Sequence, residues 1–242
     1  LMVGIGKAAQ KQILIKDATA LERLRKVDAL VSDKTGTLTT PNRNIDFTKS
    51  DNLPLEEREA LKPCASEAMA ELHDMGIEVY LMSGDKEEAA KYWADRAGIT
   101  HYRSKVLPQD KENLVAQLQQ QGKRVAMIGD GINDTQALAR ADVSIAMGKG
   151  TDVAMDVAQV TLMGDDLRAI PEAVRLRRST VRMIWQNLFW AFIHNIVSIP
   201  LAAGVLYLFN IDFQITPMWA SALMAFSSVS VVLNSLRLRY VQ

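Results

Sequence analysis

Three carboxylates, a lysine and several small hydroxyls stand in this sequence where apolar runs end. Asp33-Lys34-Thr35-Gly36-Thr37 comes just after VDALV and Ser32; Ser83, Gly84 and Asp85 follow VYLM; Gly129, Asp130, Gly131, Asn133 and Asp134 follow RVAMI. Lys111 stands three residues after Pro108, at the head of a helix-like segment. Acids gathered with other oxygen donors suit Mg²⁺, a hard cation that keeps waters for a phosphate partner. Ser83, the amides of the turn glycines and Lys111 suit phosphoryl oxygens. Each group alone is a common turn, but their order after successive apolar runs makes a composite. The sequence holds no GxxxxGKS or GxxxxGKT loop, the usual phosphate cradle of nucleotide hydrolases. A carboxylate can itself be the nucleophile, forming an aspartyl phosphate. Asp33 is the candidate, with a cation relieving its repulsion of the incoming phosphate.

Something must hold these groups together. Short runs rich in valine and isoleucine recur as ILI at 13–15, VDALV at 27–31, IEVYLM at 77–82, RVAMIG at 124–129, VSIAM at 143–147 and VTLM at 160–163. Between them lie the helix-like segments EEREALKPCASEAMAELHDM, KEEAAKYWADRA, DKENLVAQLQQQ and NDTQALARA. Strand alternating with helix predicts an α/β fold, a parallel sheet covered on both faces. In such sheets the ligand site lies beyond the carboxyl ends of the strands, where the unusual residues stand.

The 28 basic residues balance the 28 acidic ones, which argues against a nucleic-acid partner. The single cysteine, Cys64, excludes an internal disulfide framework and fits a reducing compartment. Composition changes near residue 180: after Arg182 only Asp212, Arg237 and Arg239 carry formal charge. Uncharged runs at 183–209 and 213–236 each exceed the ~20 residues that a helix needs to cross a membrane. They predict a two-helix hairpin with spans at about 183–209 and 215–236. Arg175, Arg177, Arg178 and Arg182 before it, and Arg237 and Arg239 after it, place both ends and the polar domain in the cytoplasm. His194 and Asn195 in the first span, and Met224, Ser227 and Ser228 in the second, are polar or soft groups at mid-depth, where function is the default expectation. The expected domains are therefore 1–180, with a short insert at about 40–62, and 181–242.

DKTGTLT at 33–39, MSGD at 82–85, PQDK at 108–111 and GDGIND at 129–134 resemble, in order, the phosphorylation-domain motifs of P-type ATPases, membrane pumps of the haloacid dehalogenase-like superfamily. The resemblance implies that Asp33 accepts the γ-phosphate of ATP. Asp130 and the main-chain oxygen of Thr35 would bind Mg²⁺, with Asp33 and Asp134 completing the metal site. Ser83 and Lys111 would contact the phosphoryl group, beside Gly84 and Asp85, while Asn133 and Asp134 order the site. Phosphatases of the superfamily usually carry an Asp two positions after the nucleophile, where this chain has Thr35. Without that base an aspartyl phosphate persists long enough to drive a conformational change.

The expected hairpin resembles the last two helices of the heavy-metal branch. Met224 with Ser227 and Ser228 matches the MxxSS motif of the copper pumps, and thioether sulfur suits Cu⁺. Asn195 matches the Asn of their Tyr-Asn pair, although His194 stands in place of the Tyr. The implied copper ligands are Asn195, Met224 and Ser228, with Ag⁺ as a second cargo. The resemblance further implies partners: the bilayer, the rest of a pump with its Cys-Pro-Cys helix and actuator domain, and a copper chaperone. Family members carry a nucleotide-binding domain of well over a hundred residues after DKTGTLT, and this chain has only a short stretch there. The expectation is the carboxyl-terminal part of a copper-exporting pump. The alternatives are a membrane-tethered, Mg²⁺-dependent aspartate-nucleophile phosphatase and a non-catalytic metal-binding or regulatory fragment.

Overall fold

The computed structural model describes residues 6, 8–24, 26–42, 54–202, 225 and 229. Its sheet runs in the order β1 (Ile13–Ile15), β9 (Val160–Leu162), β8 (Val143–Met147), β7 (Val125–Gly129), β2 (Ala29–Asp33), β5 (Glu78–Met82) and β6 (His101–Arg103). All neighbours are parallel except β1, which pairs antiparallel with β9. β2 lies between β7 and β5, so the chain leaves it first to one side and later to the other. In sheets of this kind such a reversal is where ligands bind, beyond the carboxyl end of the strand, here β2.

All five residues of β2 are buried, as a strand covered on both faces requires. The pleat sends alternate side chains to opposite faces. Ala29 and Val31 join the core formed with Leu114, Val115 and Leu118 of helix Pro108–Gln120 and with Leu138 of helix Thr135–Arg140. Leu30 joins the other core, with Met69 and Leu72 of helix Ala65–Asp74, Trp93 of helix Glu87–Ala97, and Ile170 and Val174 near the start of helix Ala169–Ala202. One strand thus belongs to both cores, and its last residue is the expected nucleophile.

The segment EEREALKPCASEAMAELHDM is not one helix, contrary to the sequence reading. It divides into a short helix Leu55–Arg58, strand β4 (Glu59–Leu61) and the helix from Ala65. Pro63 supplies no N–H and disfavours helical backbone at Lys62, which separates the two helices. β4 pairs antiparallel with β3 (Thr39–Pro41), so the chain that leaves the nucleophile turn returns beside itself. This small ladder and the edge strand β6 are three-residue elements, too short to show a period in the sequence.

The α/β unit spans Ala8–Arg177. Helix Ala169–Ala202 continues beyond it for a total of 34 residues. Among the described residues no helix is long and apolar enough to cross a membrane. Within the expected first span, Gln186, Asn187, His194 and Asn195 dilute the apolar run as far as Ala202. Residues 203–209 and, apart from Ala225 and Val229, the expected second span lie outside the described residues.

Trp93 is 1 % exposed, and its indole packs edge-on to Tyr92 at 5.0 Å. Trp93→Ala should lower the unfolding free energy by about 3–5 kcal/mol, because a core this closely packed does not collapse into so large a space. Urea denaturation followed by circular dichroism measures the loss.

Candidate active site

Asp33 closes β2, and its Oδ1 accepts a hydrogen bond of 2.6 Å from Lys111 Nζ. The same ammonium donates to Asp134 Oδ1, also at 2.6 Å. Local structure brings the three together. Pro108 begins its helix, and the Asp110 carboxylate accepts from the Leu107 N–H at 2.9 Å, which fixes the first turn and sets Lys111 within it. Asp134 ends the short 3₁₀ turn Ile132–Asp134 after β7, and its Oδ2 accepts from the Gly131 N–H at 3.3 Å. Asp130 lies between them in sequence, and carboxylate oxygens of Asp33, Asp130 and Asp134 all fall within 4.8 Å of one another.

Two glycines make this crowding possible. Gly36 has φ +75°, and a Cβ there would stand 1.6 Å from Asp130 Oδ2, so the turn after Asp33 lies directly against that carboxylate. At Gly129 a Cβ would meet Asp134 Oδ2 at 2.5 Å. Any side chain at either position would push a site carboxylate aside.

Three carboxylates here face one bridging ammonium. Burial, and then the charge of Asp134, push the Asp33 carboxyl up to about 6, against the opposing pull of Lys111. Asp130 is raised for the same reasons, burial first and Asp134 second. Burial pulls the Lys111 ammonium down, but the attraction of Asp33 and Asp134 outweighs it, so its pKa lies above the ordinary lysine value. An unbalanced cluster of hard oxygen donors fits Mg²⁺.

The other expected site residues are spread more widely. Ser83 is buried at the end of β5, where its Oγ accepts from the Asp85 N–H at 3.1 Å. The Lys34 N–H donates to the Met82 carbonyl at 3.1 Å, tying the ends of β2 and β5 together. Asp85 is ion-paired with Lys34, the residue after Asp33, and is not among the three clustered carboxylates. Thr35, Gly84 and Asn133 are exposed. Asn195 is exposed on the long helix beyond the α/β unit, and Met224 and Ser228 lie outside the described residues.

Sequence reading missed the residues that brace the turn. The buried Lys34 ammonium pairs with Glu59 of β4 as well as with Asp85. Glu59 Oε2 also accepts from Thr39 Oγ1 at 2.7 Å. Lys62, 4 % exposed, donates to the Gly36 carbonyl at 2.9 Å and to Asp165 Oδ1 at 3.2 Å. Nothing in the spacing of Glu59 or Lys62 marked them, since their partners are distant in sequence.

Residues 48–142 match the haloacid dehalogenase-like hydrolase family. The copper-exporting P-type ATPase of Legionella pneumophila is 35 % identical over 342 aligned positions, which take in all of this chain and 46 % of that protein. The probable copper-transporting ATPase PacS of Synechocystis is 50 % identical over 182 residues, 75 % of this chain and 24 % of that protein. This chain is a homologue of the copper-exporting P-type ATPases. It spans about half the length, or less, of these relatives. The Legionella match runs about 100 positions longer than this 242-residue chain, so that relative carries residues with no counterpart here. Among solved structures, a zinc-transporting PIB-type ATPase superposes with a TM-score of 0.78 at 24 % identity, covering 98 % of this chain and 54 % of that one, a likeness of fold.

A carboxyl with a higher pKa folded than unfolded holds a proton that unfolding releases. Stability therefore falls as pH rises from about 4 through about 6, and stays reduced above that. Asp33→Asn removes this penalty. Without divalent cations it should raise the midpoint of thermal unfolding by roughly 5 °C at pH 7.5, corresponding to about 2 kcal/mol. The gain should shrink towards pH 4, and calorimetry across that range measures it.

Proposed function

We propose that this chain is part of a copper-exporting P-type ATPase, and that Asp33 is the residue phosphorylated by ATP in its cycle. The observation that carries this reading is the shared ammonium of Lys111, bonded at 2.6 Å to both Asp33 and Asp134 at the end of the inner strand. An Asp33 carboxylate oxygen attacks the γ-phosphorus, the bond from phosphorus to the bridging oxygen breaks, and ADP leaves. Lys111 holds charge against the phosphoryl oxygens throughout, and Ser83, on the neighbouring strand end, positions one of them. Asp33, Asp130, Asp134 and the Thr35 main-chain oxygen would hold Mg²⁺, which would supply charge neutralisation. Water later attacks the phosphorus, releasing inorganic phosphate and restoring the carboxylate. Position 35 holds Thr, which gives that water no carboxylate base, so the phosphoenzyme lasts long enough to drive transport.

In this reading the chain sits in a membrane through spans at about 183–209 and 215–236, with the α/β unit in the cytoplasm. Support comes from helix Ala169–Ala202, where Trp185, Leu188, Phe189, Phe192, Ile196 and Ile199 are all exposed. Large apolar side chains repeating every three or four residues suit hydrocarbon surroundings. Asn195, Met224 and Ser228 bind Cu⁺, or Ag⁺, as the transported ion. The partners are the bilayer, the remaining helices and actuator domain of the pump, and a copper chaperone.

Incubation of the full chain with radiolabelled ATP or acetyl phosphate, with and without Mg²⁺, tests the assignment. The expected result is acid-stable, hydroxylamine-sensitive label that requires Mg²⁺ and vanishes in Asp33→Asn. Label in that variant equal to the parent's would overturn Asp33 as nucleophile. Label from acetyl phosphate alone would overturn ATP as the donor to this chain.

A further inference from the structure

Lys62 lies on the return side of the β3–β4 ladder, one residue past β4. Its ammonium is nearly sealed from solvent, and a buried cation at that depth is stable only when its donors are met. It is shared between two places that are otherwise separate. One is the Gly36 carbonyl, in the turn that lies against Asp130; the other is Asp165, four residues before helix Ala169–Ala202 begins. The Lys62 charge also bears on Asp130, pulling against the burial that raises its carboxyl. Lys149 holds the second Asp165 oxygen, so Asp165 is gripped from both sides.

We infer that Lys62 is a positioning residue that couples the phosphoryl state of Asp33 to the entrance of the long helix, through the linkage of Gly36 carbonyl, Lys62 ammonium and Asp165 carboxylate. The inference rests on Asp33 taking a phosphoryl group. Placing that group and its cation beside Asp130 moves charge directly above Gly36. The turn cannot yield towards Asp130, because the two are already in contact. Its carbonyl shifts instead against Lys62, whose other bond bears on residues 163–168. Coupling between sites can be carried by such chains of hydrogen bonds and ion pairs. Glu59, three residues earlier, holds the opposite flank of the turn through Lys34, so the return strand grips the turn on both sides.

Hydrogen–deuterium exchange of the full chain, with and without beryllium fluoride and Mg²⁺ as the stand-in for the phosphorylated state, tests this. In the parent the probe should slow exchange by several-fold both at 33–38 and at 163–170. Lys62→Met keeps the aliphatic stem and leaves Asp165 paired with Lys149, so the chain keeps its fold. In that variant the response at 33–38 should persist and the response at 163–170 should be lost. Lys62→Arg should restore the distal response, which a merely space-filling role would not predict. A distal response intact in Lys62→Met, or missing in the parent beside a clear response at 33–38, overturns the coupling. No response at 33–38 in the parent overturns phosphorylation of Asp33 itself.

Discussion

The ammonium of Lys111, bonded at once to Asp33 and Asp134, is the contact on which the site depends. Three carboxylates within 4.8 Å cannot all be charged at the end of a buried strand without a counter-charge. Lys111 supplies one positive charge, and the charge of Lys62 also bears on Asp130. Burial first, and then the charge of Asp134, raise the Asp33 carboxyl. The fold accepts a loss of stability here, and both cores must offset it. Since β2, like β7, carries side chains into each core, Asp33 is attached to a strand held on both faces.

Around that centre lies a second tier of buried charge. Lys34 is nearly inaccessible and pairs with Glu59 and Asp85; Lys62 is nearly inaccessible and pairs with Gly36 and Asp165. Removing one partner of a buried pair leaves the other stranded, so such pairs fix geometry more than they add stability. Three of the four tethers involve Glu59 or Lys62, at the two ends of the stretch 59–62. The return strand after the Asp33 turn therefore has a structural duty: Glu59 and Lys62 tie that turn in place.

The homology to copper pumps agrees with this economy of parts. The chain matches 46 % of the Legionella protein while lacking about 100 residues present in the matched stretch, and the sheet, the acidic centre and the β3–β4 ladder are nonetheless complete. The acidic centre is built from strand ends, the turn after β7 and the helix that carries Lys111.

Sequence alone determined the parts whose cause is local. Apolar runs of valine and isoleucine set the strands, with β8 at 143–147 placed to the residue and β2 two residues later than VDALV suggested. Pro108 at a helix start placed Lys111, and the acids at strand ends followed from the rule that parallel sheets bind ligands at their carboxyl edge. Only the tertiary structure decided which charges meet. Lys111 reaches Asp33 across 78 positions, Lys62 reaches Asp165 across 103, and Lys34 reaches Asp85 across 51. Such pairs leave no period or spacing in the chain. β3 and β4 were illegible for a related reason: three residues carry no alternation, and their strand character comes from pairing with each other. A side chain's type is written in the sequence, but its partner is chosen when the sheet closes and burial forces every charge to find one.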